Sequence, residues 1–117
     1  MVNNEEISQI EINRLVQRLK QRAQTTGYYL NPDAEFTNFL VNSLIINEKR
    51  YGYWACPCRL ASGNRQQDLD IICPCSYRDL DLREYDQCYC ALYVSLAIVE
   101  GKNQARSIPE RRNTSSS

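Results

Sequence analysis

All six cysteines of this 117-residue chain fall into three Cys-x-Cys pairs: Cys56-Pro57-Cys58, Cys73-Pro74-Cys75 and Cys88-Tyr89-Cys90, separated by 14 and 12 residues. The chain has no histidine. Imidazole ligation, Cys/His catalysis and Ser/His/Asp triads are therefore excluded, and soft-metal or nucleophilic chemistry rests on cysteine alone. Structural zinc usually takes its thiolates from Cys-x-x-Cys knuckles, and none is present. The Cys-x-x-Cys-x-x-Cys run of bacterial ferredoxins is absent too. A cubane iron–sulfur cluster takes four thiolates, which leaves two cysteines to form a redox-active disulfide. The same six could instead make one zinc site with two spare thiols, and spacing alone leaves both arrangements open.

The redox compartment sharpens this choice. The chain opens on Asn3, Asn4, Glu5 and Glu6 and contains neither a secretory signal pattern nor an 18-residue apolar stretch, so a soluble cytoplasmic protein is expected. In that compartment ordinary thiols stay reduced, and metal binding or redox catalysis is a better account of clustered cysteines than a static disulfide framework. Formal charge sums to zero, 14 Lys+Arg against 14 Asp+Glu, which gives no basic field for nucleic acid. Residues 101–117 carry four Lys+Arg and one acid. That segment reads as a solvated tail or as a contact for acidic partners.

The elements that must position the pairs are legible in part. Ser8 with Glu11 forms a capping box, and Ile12, Leu15, Val16, Leu19 and Ala23 recur at helical spacing, predicting a helix that stops near Gly27. Asn31 as cap, Pro32 at the first position and Asp33 in the first turn predict a second helix. Its apolar face is expected at Phe36, Phe39, Leu40, Leu44 and Ile45, and its end at Gly52. From Tyr53 to Cys90 the chain is turn-rich, with one short helix expected from Asn64 to Asp70. Such a stretch needs a staple, which a bound metal centre would supply. Residues 91–99 are core, as strand or helix. Pro57 and Pro74 hold their neighbours extended or simply mark turns. Residues 111–117 are charged and Ser-rich and are expected to be disordered, and Asn113-Thr114-Ser115 is a chance glycosylation pattern.

Cys-Pro-Cys-Arg at 56–59, Cys-Pro-Cys at 73–75 and Cys-x-Cys at 88–90, in that order, resemble the catalytic (beta) subunit of ferredoxin:thioredoxin reductase. The two preceding helices and Ile108-Pro109-Glu110 agree with the match, which runs to about Pro109. The resemblance implies a mainly α, small single domain over residues 1–110, with helices and cysteine-bearing loops folded around a 4Fe-4S cluster. It implies Cys56, Cys73, Cys75 and Cys88 as cluster ligands, and Cys58 and Cys90 as the active-site disulfide. It implies an iron–sulfur oxidoreductase that takes single electrons from ferredoxin and reduces the disulfide of thioredoxin or a similar protein. In photosynthetic relatives a second, variable subunit is also a partner.

For these positions the implied sequence is as follows. One electron opens the Cys58–Cys90 bond, Cys90 is captured at the cluster, and Cys58 attacks the target disulfide. The second electron releases Cys90 as a thiolate, which attacks Cys58 and frees the reduced target. A plant-type ferredoxin near roughly −400 mV and a thioredoxin near roughly −270 mV make the transfer favourable by about 6 kcal/mol. Two departures stand out. The first cysteine interval is shorter and the second longer than in the plant and cyanobacterial enzymes, which points to an archaeal or non-photosynthetic bacterial branch. Tyr89 stands where those enzymes have histidine, and reads either as a tuning residue beside the cluster or as an aromatic cover.

Arg59 is placed to favour a Cys58 thiolate or to bind a partner, or else to pair with Asp68 or Asp70. Tyr53, Trp54 and Tyr77 read as covers of the cluster or core, with docking as the other reading. Two non-enzymatic readings compete with the reductase: a zinc-binding interaction module and a simple one-electron carrier.

Overall fold

The computed structural model describes residues 8–112. Helix α1 spans Gln9–Thr26 and is capped as expected, the Ser8 hydroxyl accepting from the Glu11 amide at 3.1 Å. It ends at Gly27, whose φ of 84° only glycine adopts without strain. Helix α2 spans Ala34–Tyr51 and ends the same way at Gly52. Leu15, Leu19 and Ala23 of α1 pack with Leu40, Val41, Leu44 and Ile45 of α2 in one buried cluster. Each fully buried leucine there contributes about 1.5–3 kcal/mol.

Two expectations for α2 are corrected. The cap is Asp33, whose carboxylate accepts from the Phe36 amide at 3.1 Å. Asn31 serves elsewhere: its Oδ1 accepts from the Asp33 amide at 2.9 Å and its Nδ2 donates to the Ala91 carbonyl at 3.0 Å. The buried stripe is Thr37, Leu40, Val41, Leu44 and Ile45. Phe36 and Phe39 lie off that stripe and are 36% and 63% exposed.

Between the helices, β1 (Tyr29–Leu30) pairs antiparallel with β2 (Tyr93–Val94), with Tyr29 opposite Val94 and Leu30 opposite Tyr93. This two-stranded ribbon ties the α1–α2 connection to the last cysteine pair. The 91–99 run is thus strand and then helix, α4 being Leu96–Val99, and its core assignment fails at Leu96 and Val99, which are exposed. The expected helix from Asn64 to Asp70 is instead a set of turns followed by a 3-10 turn, Leu69–Ile71. The chain departs from helix there because Asp68 turns inward, accepting from the Ser62 and Gly63 amides, the Ser62 hydroxyl and the Tyr53 hydroxyl. Helix α3, Arg78–Tyr85, was not expected. Its apolar residues, Leu80 and Leu82, alternate rather than follow a helical period.

The fold is mainly α. Among the described residues no helix is long and apolar enough to cross a membrane.

After α4 the chain runs back across the cysteine region as a strap. Gln87, fully buried, grips Arg106 from both sides, donating to its carbonyl at 2.8 Å and accepting from its amide at 2.7 Å. Arg111 pairs with Asp81 and Glu84, and Arg112 with Asp70 at 2.9 Å. The first two residues of the expected tail are thus tied to the fold, and 113–117, with the glycosylation pattern, lies outside the described residues.

Candidate redox and metal centre

Backbone pairing sets the three cysteine pairs side by side. Ala55 and Ile72 form an antiparallel bridge, with the Cys56 amide donating to the Ile71 carbonyl at 2.8 Å and the Cys73 amide to the Trp54 carbonyl at 2.7 Å. The Cys73–Pro74 peptide is cis. The third pair sits on a tight loop closed by Gln87 opposite Val94 and by the Cys88 amide bonding to the Tyr93 carbonyl at 2.9 Å. Within each pair region a turn starts at a cysteine carbonyl: Cys56 accepts from the Arg59 amide, Cys75 from Arg78 and Cys88 from Ala91. The second of these turns leads into α3. Ala91 closes the third with φ 63°.

The sulfurs divide between two spaces. Cys56, Cys73, Cys75, Cys88 and Cys90 line one small cavity of about 10 Å³ with Arg59, Arg78, Tyr89 and Tyr93. Cys58 is exposed and lines a separate open groove of about 640 Å³. Cys90 and Tyr89 line both. Cys90 is therefore the thiol that stands between the buried set and the exposed one. All six are free thiols, with Cys88 and Cys90 sulfurs 3.8 Å apart.

Electrostatics follow this placement. Hydrogen bonding with Cys90 holds the Cys56 thiol down to about 7 and also lowers Cys58 and Cys88, against the opposing effect of burial. The same sulfur contacts, together with burial, push Cys90 itself well up. Burial raises Cys73 and Cys75, and for Cys75 the guanidinium of Arg59 works in the opposite direction.

Arg59 is not paired with Asp68 or Asp70; that acidic edge belongs to Arg112. The Arg59 side chain, 3% exposed, is bound by Glu110 through two contacts of 2.5 Å. Its Nη1 donates to the Cys56 sulfur at 3.6 Å, and its charge also favours the Cys58 thiolate, as expected, although as a lesser cause than Cys90. Tyr89 lies with its ring over the Arg59 guanidinium, 4.6 Å from the centroid. Tyr77 covers the other aromatic contact of Arg59 at 5.1 Å. Tyr53 packs away from the cavity, its hydroxyl on Asp68 at 2.6 Å. Trp54 lies against Arg18 of α1, with its ring nitrogen buried and without a hydrogen-bond partner among the described residues. Of the three, Tyr77 alone reaches the site, through Arg59, while the expected core packing holds for all of them: Tyr53 is buried, and Trp54 and Tyr77 pack against the cluster that includes Cys56, Cys73, Cys88 and Cys90.

Sequence reasoning missed Tyr93, Arg78 and Gln87. Tyr93, 1% exposed, walls the cavity and carries Arg78 over its ring at 4.8 Å. Its signal was hidden in an apolar run. Gln87, adjacent to Cys88, carries no pattern that distinguishes it from any surface glutamine. Glu110 was noticed as part of a motif, but its role requires knowing that residues 59 and 110 meet.

The donor set fits an iron–sulfur cluster by chemistry: thiols line one cavity, no carboxylate lines it, and two cationic side chains, Arg59 and Arg78, border it. The thiols close on one another here, leaving room for about one water. Among the described residues no three His, Cys, Asp or Glu side chains converge as ligands of a single ion do.

Comparison with known families gives one finding: the model for the ferredoxin thioredoxin reductase catalytic beta chain matches residues 4–114. The chain belongs to that family, whose general activity is that of an iron–sulfur oxidoreductase acting between ferredoxin and thioredoxin. No curated protein matches the chain.

Proposed function

We propose that this member of the ferredoxin thioredoxin reductase catalytic beta chain family holds a 4Fe-4S cluster on Cys56, Cys73, Cys75 and Cys88 and reduces protein disulfides with Cys58 and Cys90. The observation that carries the proposal is the position of Cys90, which lines both the buried thiol cavity and the open groove where Cys58 is exposed. When bound, the cluster supplies storage for a single electron, so that a one-electron donor such as ferredoxin can serve a two-electron reaction.

Every other step belongs to side chains. Cys58, open to solvent, attacks one sulfur of the target disulfide, forming a mixed disulfide and releasing the other target sulfur as thiolate. Cys90 then attacks Cys58, the mixed disulfide breaks, and the second target sulfur leaves reduced. The resulting Cys58–Cys90 disulfide is reopened by two electrons, delivered singly, and two protons complete the thiols. Tyr89 and Tyr93 wall the cavity and keep water from the buried sulfurs. Thioredoxin or a similar protein is the target, and the cytoplasm is the setting.

The test uses a Cys90→Ser variant incubated with ferredoxin and thioredoxin. Accumulation of a covalent adduct between Cys58 and thioredoxin, with turnover lost, is expected. Unchanged electron transfer through Cys90→Ser marks a simple carrier and overturns the proposal.

A further inference from the structure

A guanidinium as buried as that of Arg59, 3% exposed, is stable only where its charge is countered and its donors are met. Glu110 meets one edge, accepting from Nε and Nη2 at 2.5 Å each. The remaining nitrogen, Nη1, donates to the Cys56 sulfur at 3.6 Å, and the Cys75 sulfur interacts with the same guanidinium. Two rings cover it, Tyr77 at 5.1 Å and Tyr89 at 4.6 Å. Tyr77 is itself pinned by its hydroxyl on Asp70 at 2.5 Å, and Tyr89 by the loop that carries Cys88 and Cys90. The cation therefore has one orientation, with its free edge toward sulfurs.

We propose that Arg59 tunes the thiolate centre, its guanidinium raising the reduction potential of a cluster held on Cys56 and Cys75, and that Tyr89 is a positioning residue acting through its ring on Arg59. The proposal rests on the reading of these thiols as cluster ligands. Reduction adds negative charge to such a centre, and a cation that hydrogen-bonds its sulfurs stabilises the reduced form. Ligand-orienting groups of this kind commonly act through their own fixed neighbours. What singles out Tyr89 is the face of its ring, which is given to the cation. Lysine would not substitute fully, since a point charge cannot bind Glu110 in a fork and reach a sulfur at once.

The experiment is a spectroelectrochemical titration of the cluster in the full chain. Arg59→Gln lowers the midpoint potential, and Arg59→Lys falls between it and the wild type. Tyr89→Phe keeps the wild-type potential. Tyr89→Leu shifts it in the direction of Arg59→Gln by a smaller amount, and adds nothing in the Arg59→Gln background. An unmoved potential in Arg59→Gln overturns the proposal, as does a Tyr89→Phe shift equal to that of Tyr89→Leu, or full additivity of the two sites. If Arg59→Gln fails to hold a cluster, Arg59→Lys and the two Tyr89 variants decide by the same criteria. A wild-type chain without iron and sulfide overturns the underlying reading instead, before any variant is made.

Discussion

The α1–α2 hairpin and the region that follows it are held together by different physics. The hairpin is apolar burial between two 18-residue helices with orthodox caps. Residues 53–112 contain one eight-residue helix and one four-residue helix, and beside apolar residues such as Ile71, Leu92 and Tyr93 they bury polar groups that the hairpin largely lacks: Asp68, Asp81, Gln87 and the Arg59–Glu110 pair. The two share a core, since Cys56, Cys73, Cys88 and Cys90 belong to the same buried cluster as the helix leucines. The difference teaches that the hairpin is ordered by local helix signals and apolar burial, whereas the cysteine region adds specific buried polar partners to the core it shares with the helices.

Removing the proposed cluster should produce the largest effect and the sharpest contrast. Chelation under anaerobic conditions is expected to make residues 53–112 susceptible to proteolysis while most α1 and α2 helicity survives in far-UV circular dichroism, because site binding energy is also folding energy there. Equal loss of both regions would erase the contrast.

Leu44→Ala attacks the other side. Leu44 is fully buried between the helices, and its truncation is expected to cost about 2–5 kcal/mol in chemical denaturation. Thiol reactivity at Cys58 should change little, since Cys58 is exposed in a separate groove.

Asp68→Asn gives the smallest effect and probes the polar side. Burial raises the Asp68 pKa, but hydrogen bonds from Tyr53, Ser62 and Gly63 outweigh it and hold the carboxyl below its ordinary value. A depressed acid stabilises the fold above its unfolded pKa, near about 4, and that stability is lost as pH falls through the lower folded value. Asp68→Asn should therefore cost about 1–3 kcal/mol at neutral pH, with the gap from wild type narrowing below about pH 4. A gap independent of pH in denaturation curves would show that the charge is not what the loop uses.

The same division explains what the sequence revealed. The hairpin was readable because caps and apolar spacing are local: Ser8, Gly27 and Gly52 behave as their types predict. The error at Phe36 and Phe39 arose because two apolar residues at helical spacing do not say which side faces the core. Helix α3 was invisible because Arg78–Tyr85 is mostly charged and is tied down from outside, by Arg111 on Asp81 and Glu84. The cysteines announced a site through their spacing alone. Their unequal surroundings, with Cys58 exposed and Cys90 between two spaces, depend on long-range contacts such as Gln87 with Arg106, which no local pattern encodes.

The central claim is a division of the six thiols into four ligands and two redox groups, and it is tested most directly by iron and sulfide analysis of anaerobically purified wild type and Cys58→Ser, alongside thioredoxin reduction. About four irons and four sulfides per chain in both proteins, with turnover lost only in Cys58→Ser, is the predicted result. A colourless wild type with one zinc, or a Cys58→Ser variant that loses its iron, would contradict it.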